Sequence, residues 1–160
     1  MLRTLRIRDI ALIEQLTVTF DDGFSVLTGE TGAGKSIIIE ALNFVLGERA
    51  SRELIRTGAQ KAAAEATFSL AADAPARRVL EELALEAEED EVVLSRELSA
   101  AGKNACRING TLVSTAALKQ VGDLLVDIHG QHEHQSLLDV RRHLPLLDRF
   151  AAAETAPLLS

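Results

Sequence analysis

The sequence predicts an α/β fold, and three observations carry that reading. Strand-patterned and helix-patterned segments alternate along the chain, a glycine-rich loop joins one such strand to one such helix, and that helix is apolar on nearly every side. At 160 residues the chain has the size of one compact domain, and 47% hydrophobic residues suffice to fill a core. Aromatic residues make up only 3%, with no Trp and no Tyr, so the core must be built from Leu, Val, Ile and Ala. A base-stacking surface of several aromatics is excluded by the same count.

Leu5 and Ile7, then Leu16, Val18 and Phe20, alternate with polar positions and predict two strands. After the turn Asp21-Asp22-Gly23, the run Phe24-Ser25-Val26-Leu27 predicts a third, leading into the glycine-rich loop. From Ser36 to Leu46 the residues read as a buried helix, with Gly47 placed as its C-cap. A second strand-rich stretch covers Ala64 to Leu70, Val92 to Leu98 and Ala105 to Asn109, with turns at Ala100-Ala101-Gly102 and Asn109-Gly110. Between the first two of these strands, Pro75 introduces a helix over 76–87. A further helix is expected over 115–121 with Ser114 as its N-cap, then a buried strand, Leu124-Leu125-Val126-Asp127-Ile128, emptying into the polar run 129–136. The chain turns helical again over 140–150 and is Ala-rich to Ala153, before Pro157.

A net charge of −7 argues against a protein that wraps nucleic acid with its whole surface, because phosphate contacts are made mainly by Lys and Arg. Any DNA contact must be local. Basic residues cluster at Arg3, Arg6 and Arg8 and again at Arg49, Arg52 and Arg56, where solvated surface charge is the ordinary explanation. The single cysteine, Cys106, reads as a small buried hydrophobe. No signal peptide or membrane-spanning run is present, and a cytoplasmic protein without membrane partners is expected.

Gly29-Glu30-Thr31-Gly32-Ala33-Gly34-Lys35-Ser36 matches the phosphate-loop pattern at every fixed position. Its glycines permit the backbone angles that turn successive N–H groups toward phosphate, and the helix that follows presents its positive dipole end. Gly29 to Ile37 are therefore the expected ATP-binding residues. Lys35 supplies positive charge to the β and γ phosphates, and Ser36 offers a hydroxyl to Mg²⁺. Binding alone does not specify a reaction, since kinases, GTPases, transporters and DNA-processing ATPases share this loop. The Asn-Lys-x-Asp segment of small GTPases is absent, as is a Tyr or Trp to stack adenine in the manner of transporter ATPases.

Four further segments accompany the loop: Ala41-Leu42 with Leu46-Gly47-Glu48-Arg49, Ile55-Arg56-Thr57-Gly58, Ile108-Asn109-Gly110-Thr111, and Ile128-His129-Gly130-Gln131-His132-Glu133-His134-Gln135. With them the chain resembles, over essentially its whole length, the N-terminal part of the RecN family of bacterial SMC-like DNA-repair ATPases. The resemblance implies a P-loop NTPase head of the SMC/ABC type, of which this is the N-terminal lobe, with a mixed or antiparallel strand-rich subdomain and flanking helices. Residues 1–150 would form the N-terminal half of the head, and 151–160 would begin the connection toward a coiled coil. The implied partners are the protein's own C-terminal head half, a second head paired through ATP, and double-stranded DNA or DNA ends, placing it at the nucleoid.

The resemblance also implies a glutamine loop reaching Mg²⁺ and the attacking water. Gln131 is assigned that catalytic and metal-contacting role beside Lys35, with His129 at nearly the same place as the alternative. Three arginines, Arg49, Arg52 and Arg56, lie on the loop expected near nucleotide or DNA, where guanidinium forks suit phosphate oxygens. Arg52 and Arg56 stand slightly ahead because Arg56 falls in the matched Ile-Arg-Thr-Gly segment. Asp9 occupies a position where the family carries Asn.

A Leu-Ser-Gly-Gly-type signature and an apolar strand ending in Asp-Glu are both absent, so hydrolysis would need the C-terminal half. Asp127 ends an apolar run as a second metal ligand would, but Ile128 stands where the glutamate belongs. The competing readings are a zinc module built on His129, His132 and His134, a nucleotide-gated scaffold without hydrolysis, and a phosphotransferase for which no acceptor motif is visible.

Overall fold

The computed structural model describes residues 1–28, 33–85 and 90–128. Its framework is a six-stranded sheet made of β1 (Leu2–Ile10), β2 (Ile13–Thr19), β3 (Lys61–Ser69), β4 (Glu91–Ser99), β5 (Asn104–Ile108) and β6 (Thr111–Val113). The strands lie in the order β2-β1-β3-β4-β5-β6, and every described pairing is antiparallel. Three helices accompany it: α1 (Ala33–Val45), α2 (Pro75–Glu82) and α3 (Thr115–Leu125).

The period-two pattern is obeyed closely. Leu5 and Ile7 on β1, Ala62, Ala64, Ala66 and Phe68 on β3, Val92, Leu94 and Leu98 on β4, and Cys106 and Ile108 on β5 all point inward and are buried. The three alanines of β3 are decisive, because short side chains at the centre of the sheet let α1 approach closely and pack across β3, β1 and β4. From α1, Ile37, Ala41, Leu42, Phe44 and Val45 enter this core. Each of the larger side chains contributes about 1.5–3 kcal/mol by leaving water.

Helix α1 is not apolar on every covered side, for Ile39 is 41% exposed and Glu40 is exposed as well. It ends as expected at Gly47, whose φ of +100° suits glycine. There Gly47 N–H donates to Phe44 O and Glu48 N–H to Asn43 O, closing a Schellman motif. The hairpin turn Asn109-Gly110, both residues at positive φ, leads into β6, a strand too short to stand out in the sequence.

Three expected elements differ. Phe24 to Leu27 forms no strand, and Phe24 and Val26 are 93% and 63% exposed. A strand needs neighbours to receive its N–H and C=O groups, and none of the described strands pairs with this run. Helix α2 stops at Glu82 instead of reaching residue 87, because Ala84 adopts φ +54° and the N–H groups of Ala84 and Leu85 fold back to Glu81 O and Leu80 O. The expected strand over 124–128 is also overturned. Leu124 and Leu125 form the last turn of α3, and Val126 N–H donates to Gly122 O in helical fashion. A short apolar run satisfies either period, and the Ser114 cap, accepting from Ala117 N–H at 3.1 Å, starts a helix that runs on through it.

Helix α3 packs against α2 and β5, and meets the C-terminal end of α1 at two glycines. A Cβ on Gly122 would lie 2.6 Å from Leu46 O, a backbone atom that cannot swing away. Gly122→Ala should therefore lower the thermal midpoint by roughly 2–8 °C, the overpacking outweighing the gain in helix propensity of about 1 kcal/mol. Thermal unfolding followed by circular dichroism measures this. A rise in the midpoint would mean that the glycine contact is slack.

Candidate nucleotide-binding site

Among the expected phosphate-loop residues, Gly29, Glu30, Thr31 and Gly32 lie outside the described residues, as do Gln131 and His129. The glutamine-loop assignment and the histidine cluster at 129, 132 and 134 therefore have no structural counterpart here. What is described is the start of α1. The helix begins at Ala33, so Gly34, Lys35 and Ser36 occupy its first turn, where backbone N–H groups have no intrahelical acceptor. That turn contains no acidic residue, and the positive end of a helix dipole favours a bound anion.

The side chains divide by position on the helix. Ser36 is exposed and Lys35 is half-buried, whereas Ile37 is 7% exposed and faces the core. Any contact between Ile37 and a nucleotide must be made by its backbone. Among the described residues nothing lies within 4 Å of where a Cβ on Gly34 would be.

The second arginine cluster is placed by the loop that follows α1. Ala11 N–H donates to Leu54 O at 2.8 Å and Arg56 N–H donates to Asp9 O at 2.9 Å, while Ile10 and Ile55 form a bridge, so the loop is fastened to the β1–β2 turn. Asp9 has φ +51° and acts here through its carbonyl, a backbone role open to either Asp or Asn. The Arg56 guanidinium pairs with Glu14 at 3.3 Å. Arg52, on a short 3₁₀ turn, lies against the β4–β5 hairpin, its Nη2 2.7 Å from where a Cβ on Gly102 would be. Arg49 is exposed. In the N-terminal cluster Arg3 pairs with Asp22 and Arg6 with Glu65, the ordinary behaviour of solvated surface charge.

At the far end of α1 the structure reveals a residue that the sequence reading passed over. Arg96 of β4 points inward and is only 3% exposed. Its Nη1 donates to Phe44 O at 2.9 Å and to Glu48 O at 2.6 Å, its Nε donates to Asn104 Oδ1 at 3.2 Å, and its guanidinium carbon lies 4.7 Å from the centre of the Phe44 ring. Burial lowers its pKa, opposed by the nearby Cys106 and Glu48. Its signal in the sequence was a cation in phase with Val92, Leu94 and Leu98 on the inward side of a strand. Lys119 of α3 donates to Glu48 Oε1 and to Asp123, and the Glu48 hydrogen bond is the main cause of its raised pKa.

Asp127 follows a helix, so its reading as the metal-binding end of a buried strand loses its basis. Among the described residues no group of three His, Cys, Asp or Glu side chains could hold a metal ion, and no helix is long and apolar enough to cross a membrane. Cys106 is buried, with Sγ 3.5 Å from Thr115 Oγ1, as its place in an alternating strand predicts.

The chain is 47% identical over 159 residues to DNA repair protein RecN of Bacillus subtilis (strain 168), covering 99% of this chain and 28% of that protein. It is 52% identical over 151 residues to DNA repair protein RecN of Halalkalibacterium halodurans, covering 94% of this chain and 27% of the relative. The chain thus spans little more than a quarter of the length of these curated relatives. Among solved structures, one from work on the ATP-driven dimerization and DNA-stimulated activation of SMC ATPases superposes with a TM-score of 0.66 at 23% identity, covering 95% of this chain and 97% of that one, which establishes likeness of fold. The model of the RecF/RecN/SMC N-terminal domain matches residues 1–129, from the first strand of the sheet past the end of α3, and the chain belongs to that family.

Proposed function

We propose that this chain is the ATP-binding half of an SMC-like head acting in the recombinational repair of DNA double-strand breaks. The observation that carries the reading is the phosphate-loop motif running directly into the first turn of α1, which holds Lys35 and Ser36. Lys35 would meet the β and γ phosphates, Ser36 would hold Mg²⁺, and Gln131 would reach the metal and attacking water. The name DNA repair protein borne by the RecN relatives supports the repair role.

The exposed run Phe24 to Leu27, directly ahead of the loop, supports a composite head. The C-terminal half would supply the strands beside it, the signature motif and the catalytic glutamate, after a coiled coil that residues 151–160 begin to approach. Two completed heads would then enclose two ATP molecules at the nucleoid and hold double-stranded DNA or its ends.

Sedimentation of the completed protein tests the pairing. A shift from one head to two is expected with Mg²⁺ and a slowly hydrolysed ATP analogue, and no shift with ADP. Equal assembly with ADP would contradict a γ-phosphate-dependent sandwich.

A further inference from the structure

We infer that Arg96 is a positioning residue for the nucleotide site, acting as an anchor that fixes α1 along its own axis; this rests on reading α1 as the phosphate-loop helix. Most of α1 is held by apolar packing on β1, β3 and β4, and the hydrophobic driving force for such packing is non-directional. Arg96 supplies what the apolar contacts lack. It reaches from the middle of β4 to two carbonyls at the C-terminal end of α1 and its cap, while Asn104 of the adjacent strand holds its Nε.

The local sequence makes room for it. Arg96 sits in register with Ala64 on one side and Cys106 on the other, both small, so the long side chain can lie flat between sheet and helix. The charge faces the negative end of the helix dipole, which partly offsets the cost of its burial. The Phe44 ring, on α1 itself, lies against the guanidinium.

An α-helix is stiff along its axis, so a slip at Phe44 appears undiminished at Lys35 and Ser36, roughly 12–14 Å away. Phosphate recognition by N–H groups and a lysine is steep in distance, and displacements of about 1 Å matter to such sites. Arg96 thus sets where the first turn of α1, with Lys35 and Ser36, sits along the sheet without touching the nucleotide.

The test is MgATP affinity in the full-length protein, measured well below its melting temperature with a fluorescent ATP analogue. Arg96→Met keeps an unbranched stem and removes every donor; it should weaken binding about 10-fold. Arg96→Lys, which restores a cation able to reach the two carbonyls, should return affinity to within about 3-fold of wild type. Leu80→Ala, a cavity in α2 away from α1, serves as the control. It should lower the melting temperature while leaving affinity unchanged. Wild-type affinity in a folded Arg96→Met, or an equal loss in Leu80→Ala, would overturn the inference. Should Arg96→Met not fold, Asn104→Ala removes only the Nε acceptor and decides the matter, with about 3-fold weakening expected and unchanged affinity contradicting it. Failure of wild-type protein to bind ATP at all would instead sink the nucleotide-site reading itself.

Discussion

Lys35→Ala should abolish MgATP-driven head pairing and turnover in the completed protein while leaving the fold intact. Lys35 stands on the first turn of α1, half-buried, on a helix held by core residues two and six positions further on, Ile37 and Ala41. Removing its charge subtracts little from that packing. The loss falls on the nucleotide, because a desolvated charge pair with phosphate is worth about 2–5 kcal/mol by truncation, or roughly 30-fold to several thousand-fold in affinity. Isothermal titration with MgATP and sedimentation with the analogue would read the two effects separately. Wild-type pairing by Lys35→Ala at saturating ATP would remove the lysine from the site.

Most of the sheet is legible in the sequence for physical reasons that fail elsewhere in the chain. Strict alternation on β3 and β4 leaves one register in which Phe68, Val92 and Leu94 are all buried, so those strands can be read directly. The loop motif stands out because its fixed residues, Gly29, Gly34, Lys35 and Ser36, each answer a requirement of phosphate chemistry. The five residues from Leu124 to Ile128 satisfy the helical and the extended period alike, and the choice between them was made by the Ser114 cap and the close seat of Gly122 on Leu46. The left-handed turn at Ala84 carries no sequence mark, since alanine rarely adopts that conformation, and α2 is shorter than its composition suggests.

Side-chain destinations were less legible still. That Arg56 pairs with Glu14 and Arg52 lies by Gly102 depends on how the loop after α1 is fastened to the β1–β2 turn, a contact between distant parts of the chain. Arg96 broke the alternation of its strand and could have been noticed for that, but its partners are carbonyl groups, which every residue has and no sequence advertises. The exposure of Phe24 and Val26 gives the opposite lesson. The run reads as a buried strand, yet Phe24 and Val26 are exposed and none of the described strands pairs with it.

The second large effect follows from that bare segment. The 160-residue chain alone should hydrolyse ATP at no more than background rate, because it lacks both the glutamate that polarises water and the opposing signature motif. Positioned acid–base groups contribute about 10²–10⁴-fold, and electrostatic stabilisation of the transferring phosphoryl group is a separate and often larger contribution. Loss of both leaves a binding loop without a reaction. Covering Phe24, Val26 and Leu27 should in the same step stabilise the chain, since each fully buried large apolar side chain is worth about 1.5–3 kcal/mol.

The decisive measurement is the steady-state release of phosphate from ATP by this chain, alone and co-expressed with the C-terminal half of the protein. Turnover is expected only in the complex, to require Mg²⁺, and to vanish with Lys35→Ala in the N-terminal chain. Robust magnesium-dependent turnover by the isolated 160 residues, or a purified complex that binds ATP without hydrolysing it, would contradict the account of one site shared between two halves.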